Sequence, residues 1–235
     1  MQLGKFIDKF FFKKENCYTT GLIRILTAAV LLLLLLNDLP FAADYYSDDG
    51  VISGRTDIMR SDYRFSILDN LGSPKFVYLF YIIMIISAIM LLIGKYTRAS
   101  AIISFMLLSS FHEKNVFVLN SGDTLIRLML FYLILAPSGK CFSLDSLKKK
   151  NIFSKSEHKK WQQSHIWPRR LMQIQLAIVY LFAFLSKTGI TGKATAIYYF
   201  LSNPHFARFN FKFLGSFLWL TVIANYATLT FSALL

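Results

Sequence analysis

Apolar residues in this chain come in long blocks, without the period-two alternation of a half-buried strand or the polar face of a soluble amphipathic helix. Six blocks can be drawn, at about 21–39, 76–94, 99–111, 124–136, 171–187 and 214–235, the first containing six consecutive leucines, Leu31 to Leu36. A span normally needs about 20 predominantly apolar residues. Blocks one, two and six meet that, and block five nearly does. Blocks three and four reach it only with their polar flanks. The pattern predicts an all-α fold: a multi-pass transmembrane helical bundle of about six spans, one domain over residues 1–235. The first block has a rival reading as a secretory signal, with a basic start, an apolar run and Ala42 and Ala43 beyond it. Its long leading region and Phe41, where a small residue is required, favour an uncleaved first span.

Composition agrees with the blocks. Of 235 residues 55% are hydrophobic and 17% charged, so charge falls below the quarter usual in soluble domains. Formal net charge is +13, but Lys and Arg sit between and beside the apolar blocks. There they orient spans and meet anionic lipid, so the expected partner is the bilayer and nucleic acid is not one. Lys5, Lys9, Lys13 and Lys14 precede the first block, Lys95 and Arg98 follow the second, and Lys148 to Lys150, Lys155, Lys159, Lys160, Arg169 and Arg170 lie between the fourth and fifth. In a six-span drawing all three basic segments fall on one side, opposite a first loop carrying Asp44, Asp48, Asp49, Asp57, Asp62 and Asp69. Excess Lys and Arg mark the cytoplasmic face, which predicts a protein of the cell membrane with a cytoplasmic N-terminus. Lys187, Lys193, Arg208 and Lys212 break the pattern, because parity places them outside. Either that loop re-enters the bundle, with its charges serving a site, or a span is miscounted. The stretch KKKNIFSKSEHKKWQQSH reads as a basic, solvated loop, with an interfacial position open to it. Cys17 and Cys141 match no zinc or redox spacing and both fall on the cytoplasmic side, so they are expected to be reduced and unpaired.

Ionisable groups within apolar blocks are costly and therefore informative. Arg24 either snorkels to the inner surface or meets an acid or anionic substrate inside the bundle. Asp123 and Arg127, four apart, share one helix face, as a structural ion pair or with Arg127 free for an anionic or quinone-like group. His112 leads the cluster His112, Glu113, Lys114 and Asn115, a plain outer loop or a place for proton shuttling. Lys187 is an interface anchor, protonated and snorkelling, or a base in a dry site. The histidines show no metal-ligand spacing, so no metal is expected. Walker-type loops, G-x-S-x-G elbows and H-E-x-x-H are absent from the sequence.

Several stretches in order resemble the HTTM family, membrane proteins related to the vitamin K-dependent gamma-glutamyl carboxylase. The clearest is FHEKNVFVLNSGDTLIRLMLFYLILAPSGKCFSLD, residues 111–145, carrying His112, Lys114, Asn115, Asn120, Gly122, Asp123, Arg127, Pro137, Gly139, Ser143, Leu144 and Asp145. GLIRIL with Arg24, DYYSDDGVIS, YLFAFLSK and TAIYYFLSNPHFARF extend the likeness over residues 20–210. By this resemblance Lys187 is the base that deprotonates a reduced quinone such as vitamin K hydroquinone, with Asp123, Arg127 and His112 as pocket residues; Arg24 is a further substrate-binding candidate from its place in the first span. TGITGKATAIYY departs from the family by lacking a Trp and carrying Lys193 in place of glycine, and no soluble part for a propeptide is seen. The family also resembles the membrane component that matures a sporulation-delaying peptide toxin. Two classes of function therefore stay open: a carboxylase-like or quinone-linked enzyme, and a non-enzymatic membrane component for maturation, export or immunity of a secreted peptide. The ending SALL, without a polar flank, suggests a further C-terminal portion or a short family member.

Overall fold

Each long apolar block is bounded by residues that stop a helix or start one. A computed structural model describes residues 8–50, 66–69, 71–115, 117–152, 154–189 and 223, with backbone alone at 151, 155 and 183–189. Helix α1, Tyr18–Asp38, runs through the leucine block and continues by a 3-10 turn, Leu39–Phe41, into the short helix α2, Ala42–Tyr46. Pro74 opens α3, Pro74–Ile93, at a position where the missing amide hydrogen costs nothing. Gly94, at φ +75°, closes that helix in the left-handed conformation glycine adopts freely. Helix α4, Thr97–Lys114, follows at once. Helix α5, Ser121–Leu135, begins with a reciprocal capping box between Asn120 and Asp123 and stops before Pro137.

These four long helices run alternately up and down: α1 packs on α3, α3 on α4, α4 on α5, and α5 returns to α1. Where they meet, small side chains let the backbones approach. Ala28, Ala88 and Ala101 are fully buried, and the hydroxyls of Ser87 and Ser104 join α3 to α4 at 2.8 Å. Between helices in lipid, such close packing and polar contact replace the hydrophobic drive that holds soluble bundles together. The outward faces are apolar, with Leu22, Leu26 and Leu33 on α1 and Ile82, Ile86 and Ile89 on α3 all exposed.

Beyond α5, a 3-10 turn Ser138–Lys140 leads into α6, Leu144–Ile152, and α7, Lys155–Trp161. Strand β2, Gln163–His165, then pairs antiparallel with β1, Lys14–Asn16, before α8, Trp167–Gly189. Arg169 closes on Glu15 at 2.5 Å and Arg170 stacks on Phe10, tying the start of α8 to the N-terminal segment. The chain divides into two compact units, one through Arg170 and one from Leu171.

Five of the six expected spans thus coincide with helices; the sixth, apart from Ile223, lies outside the described residues. Among the described residues, two helical stretches are long and apolar enough to cross a membrane, Tyr18–Tyr46 and Pro74–Ile93. Two expectations are overturned: the basic stretch 148–165 is not a loop but holds the end of α6, all of α7 and β2, and the two cysteines are not unpaired. Cys17 and Cys141 are joined in a disulfide, with Cα atoms 5.7 Å apart. They lie 124 residues apart, so no spacing rule could pair them. Helices α1 and α5 run antiparallel, which brings the start of one beside the turn that follows the other.

Candidate functional site

The last turn of α4 carries four consecutive polar residues, and the fold sends each somewhere different. Glu113 pairs with Arg127 of α5 at 3.2 Å. Lys114 pairs with Asp48 at 2.6 Å. Asn115, almost fully buried, donates from Nδ2 to the Tyr45 carbonyl at 2.6 Å and accepts from the Phe117 amide at 3.0 Å. The two ion pairs and these hydrogen bonds fasten α5, α2 and the segment after it to the end of α4. His112 turns inward instead, buried and lining a cavity of about 290 Å³.

Residues from α1, α2, α3, α4 and α5 enclose this cavity. Leu31, Leu35 and Met84 form its apolar depth. An aromatic wall follows, in which Tyr46 and Tyr81 each meet Phe111 edge to face, with ring centroids 4.9 and 5.4 Å apart. Its polar groups are His112, Asn120, Asp123, Asn37, Asp38 and the tyrosines. Nδ1 of His112 is buried with no hydrogen-bond partner. Its imidazole can accept a hydrogen bond on one nitrogen and donate from the other. Leaving a polar atom buried and unpaired costs about 1–3 kcal/mol, which a ligand's hydrogen bond would recover.

The candidate residues read from the sequence fall at separate places. His112 and Asp123 line the cavity, and Arg127 stands beside it. The expected Asp123–Arg127 pair does not form: Asp123 turns back to accept from the Asn120 amide at 3.1 Å, and Arg127 goes to Glu113. A carboxylate at the third helical position can satisfy a backbone amide that has no partner within the helix, whereas the neighbouring helix offers Arg127 the carboxylate of Glu113.

Arg24 is at the other end of the bundle. It does not snorkel to the surface, being fully buried with Nη2 donating to the Phe142 carbonyl at 2.5 Å. Gly94 leaves room for its guanidinium: a Cβ there would collide with Nη1 and with Ser143. Nε and Nη1 find no partner, while Asp145 supplies an opposing charge. Arg24 therefore pins the start of α1 to the turn after α5, beside the Cys17–Cys141 bond. Lys187 is in the last turn of α8, and its side chain lies outside the described residues. Among the described residues no group of three or more His, Cys, Asp or Glu could hold a metal ion.

Sequence reasoning missed Tyr46, Tyr81 and the structural part played by Asn115. Tyr81 stands in an unbroken apolar run, where nothing in the pattern separates an inward tyrosine from one facing lipid.

A helical bundle with lipid-length apolar helices and one mixed aromatic and polar cavity near its end defines a class of membrane protein with a small-molecule-sized site. The model of the HTTM domain matches residues 12–234, nearly the whole chain, and the protein belongs to the HTTM domain family. No curated protein and no solved structure gives a significant match.

Proposed function

We propose that this HTTM-family membrane protein binds the flat polar headgroup of a reduced quinone in the His112 cavity and acts on it as a carboxylase-like or quinone-linked enzyme. The observation that carries this reading is the buried, unpartnered Nδ1 of His112 in a cavity walled by Tyr46, Tyr81 and Phe111. Ligand pockets are mostly apolar, with a few placed polar groups and volumes from roughly 300 Å³ upward, and this cavity fits the small end of that range. Aromatic faces suit a planar ring. His112 would bind and orient a hydroxyl or carbonyl on it, and Asp123, fixed by its cap, would hold negative charge at the rim. When bound, the reduced quinone supplies reducing electrons and an acidic hydroxyl. By the resemblance alone, Lys187 is the base of the reaction, a role that needs an amine kept neutral by burial.

The test uses the full chain in lipid nanodiscs with vitamin K hydroquinone as probe. His112→Phe fills the cavity and removes the hydrogen bond, so binding should weaken at least about ten-fold, as loss of one buried hydrogen bond implies. Lys187→Met should keep binding and lose turnover. Full activity in both Lys187→Met and Lys187→Arg would end the base assignment, and absence of binding by the parent would end the quinone reading.

A second reading has one observation in its favour. Asp44, Asp48 and Asp49 are exposed beside α2, at the same end as the cavity, and form an acidic rim suited to a basic segment of a secreted peptide. In that reading the protein is a non-enzymatic component for maturation, export or immunity, and a peptide pull-down sensitive to Asp44→Lys replaces the quinone assay.

A further inference from the structure

A second concavity lies at the opposite end of the bundle. This open groove of about 700 Å³ runs between the start of α1, the end of α3 and helices α6 and α7. Tyr18, Ile93, Phe142 and Leu147 make its walls apolar; Lys150 and His158 bring cationic and hydrogen-bonding groups to it. Nε2 of His158 is buried without a hydrogen-bond partner. The surrounding segment is strongly basic: residues 138–165 hold seven lysines and two acids. Of these acids, Asp145 supplies an opposing charge to the buried Arg24, and Glu157 is held in the capping box with Ser154. Lys140 donates to the Gln163 carbonyl and Lys149 lies over Trp161, so Lys150 is the lysine that the groove offers an outside anion.

Two apolar stripes begin at the groove. On α1, Tyr18 is followed at helical spacing by Leu22, Leu26, Val30 and Leu33, all exposed. On α3, Ile93 leads back through Ile89, Ile86, Ile82 and Leu79, also exposed. Both stripes belong to helices long and apolar enough to stand in lipid. A ligand seated here meets cations at one end and hydrocarbon-length apolar tracks at the other. Exposed Leu144 and Ile152 on α6 add apolar surface beside Lys148, Lys149 and Lys150, as on a helix lying at a membrane interface.

We propose that this groove is a specific seat for one anionic phospholipid, with its phosphate held by Lys150 and His158 and its acyl chains laid along the Tyr18 and Ile93 stripes. The site is independent of the His112 cavity, which lies at the other end of the same four helices. A soluble peptide would match the charge but not the two stripes, and a neutral lipid would match the stripes but not the lysines.

The full chain, purified and reconstituted in nanodiscs of equal parts phosphatidylcholine and phosphatidylglycerol, would be released into a mass spectrometer under native conditions. The parent should retain one phosphatidylglycerol in preference to phosphatidylcholine. Lys150→Gln should lower that retention about five-fold, the effect expected of one lysine near an anionic surface. His158→Phe should lower it as well, and Lys160→Gln, outside the groove, should not. Equal retention of the two lipids by the parent would overturn the proposal. So would equal losses in Lys150→Gln and Lys160→Gln, which would mean diffuse attraction, and so would displacement of the lipid by inorganic phosphate. Circular dichroism of each variant checks that the helices remain, and a variant that loses them is replaced by Lys150→Arg, which should retain the lipid.

Discussion

Asn115 explains more of the site's rigidity than any charged neighbour. Its amide is nearly fully buried and satisfied on both sides, by the Tyr45 carbonyl and the Phe117 amide, so it holds α2 over the cavity. Removing it strands a carbonyl and an amide. Asn115→Ala is expected to destabilise the fold by about 2 kcal/mol, read by chemical unfolding in detergent. Asn115→Asp should also destabilise, because it keeps the acceptor and loses the donor. Glu15 gives a pH-dependent contact at the other end. Its hydrogen bond to Arg169, with help from Lys13, holds its carboxyl below the usual carboxylate range. A depressed folded-state pKa contributes stability above the unfolded value near 4.5 and loses it as pH falls through the folded value. Amide exchange across β1 and β2 should therefore speed up more below about pH 4 than intrinsic exchange explains, and Glu15→Gln should remove that extra acid sensitivity. His112, Asp123 and Arg127 were legible in the sequence as charged or polar groups at block edges. Their partners were not, since Glu113 and the Asn120 amide are chosen by which helix lies alongside.

Helix boundaries follow from local chemistry. Pro74, Gly94, Asn120 with Asp123, and Pro137 each act within one turn, so the limits of α3 and α5 could be read before any packing was known. Helices α4 and α5 have 18 and 15 residues. At about 1.5 Å per residue they are near 27 and 22 Å long, shorter than the roughly 30 Å of a bilayer's hydrocarbon core. Their polar ends instead build the site and the turn around Arg24. The disulfide joins the elements that Arg24 also joins. Both sulfurs are almost fully buried, so thiols cannot reach them while the fold is intact. Cys17→Ser should abolish the mobility difference between reduced and non-reduced samples on a denaturing gel. Its chain-entropy cost is about 4–5 kcal/mol, as for other loops longer than a hundred residues. Dithiothreitol should cleave the bond in the parent only after denaturation.

At the scale of the whole molecule, the four-helix arrangement separates two chemistries by the length of a helix: an aromatic cavity with a buried histidine at one end, and a buried arginine near the lysine-rich segment at the other. The lysine distribution argues for a cytoplasmic N-terminus, with the lysine-rich end against the inner leaflet and the acidic segment outside, whereas the disulfide at that same end argues for an oxidising compartment. Single cysteines at Lys148 and Asp62 should then label from opposite sides of intact cells, in a background with Cys17 and Cys141 intact. Labelling from one side would refute that topology.

The sequence by itself determined that the chain is helical, where its five long described helices lie, and which ionisable residues deserved notice, because those properties depend on block length, caps and the cost of charge among apolar residues. Tertiary structure decided which of those residues meet. Antiparallel packing drew Cys17 to Cys141, buried Arg24 under Gly94 and gave Arg127 to Glu113. It also gathered Tyr46, Tyr81 and His112 around one cavity. Such contacts depend on the rotation and register of one helix against another, and in a uniformly apolar run no residue pattern marks which face will turn inward.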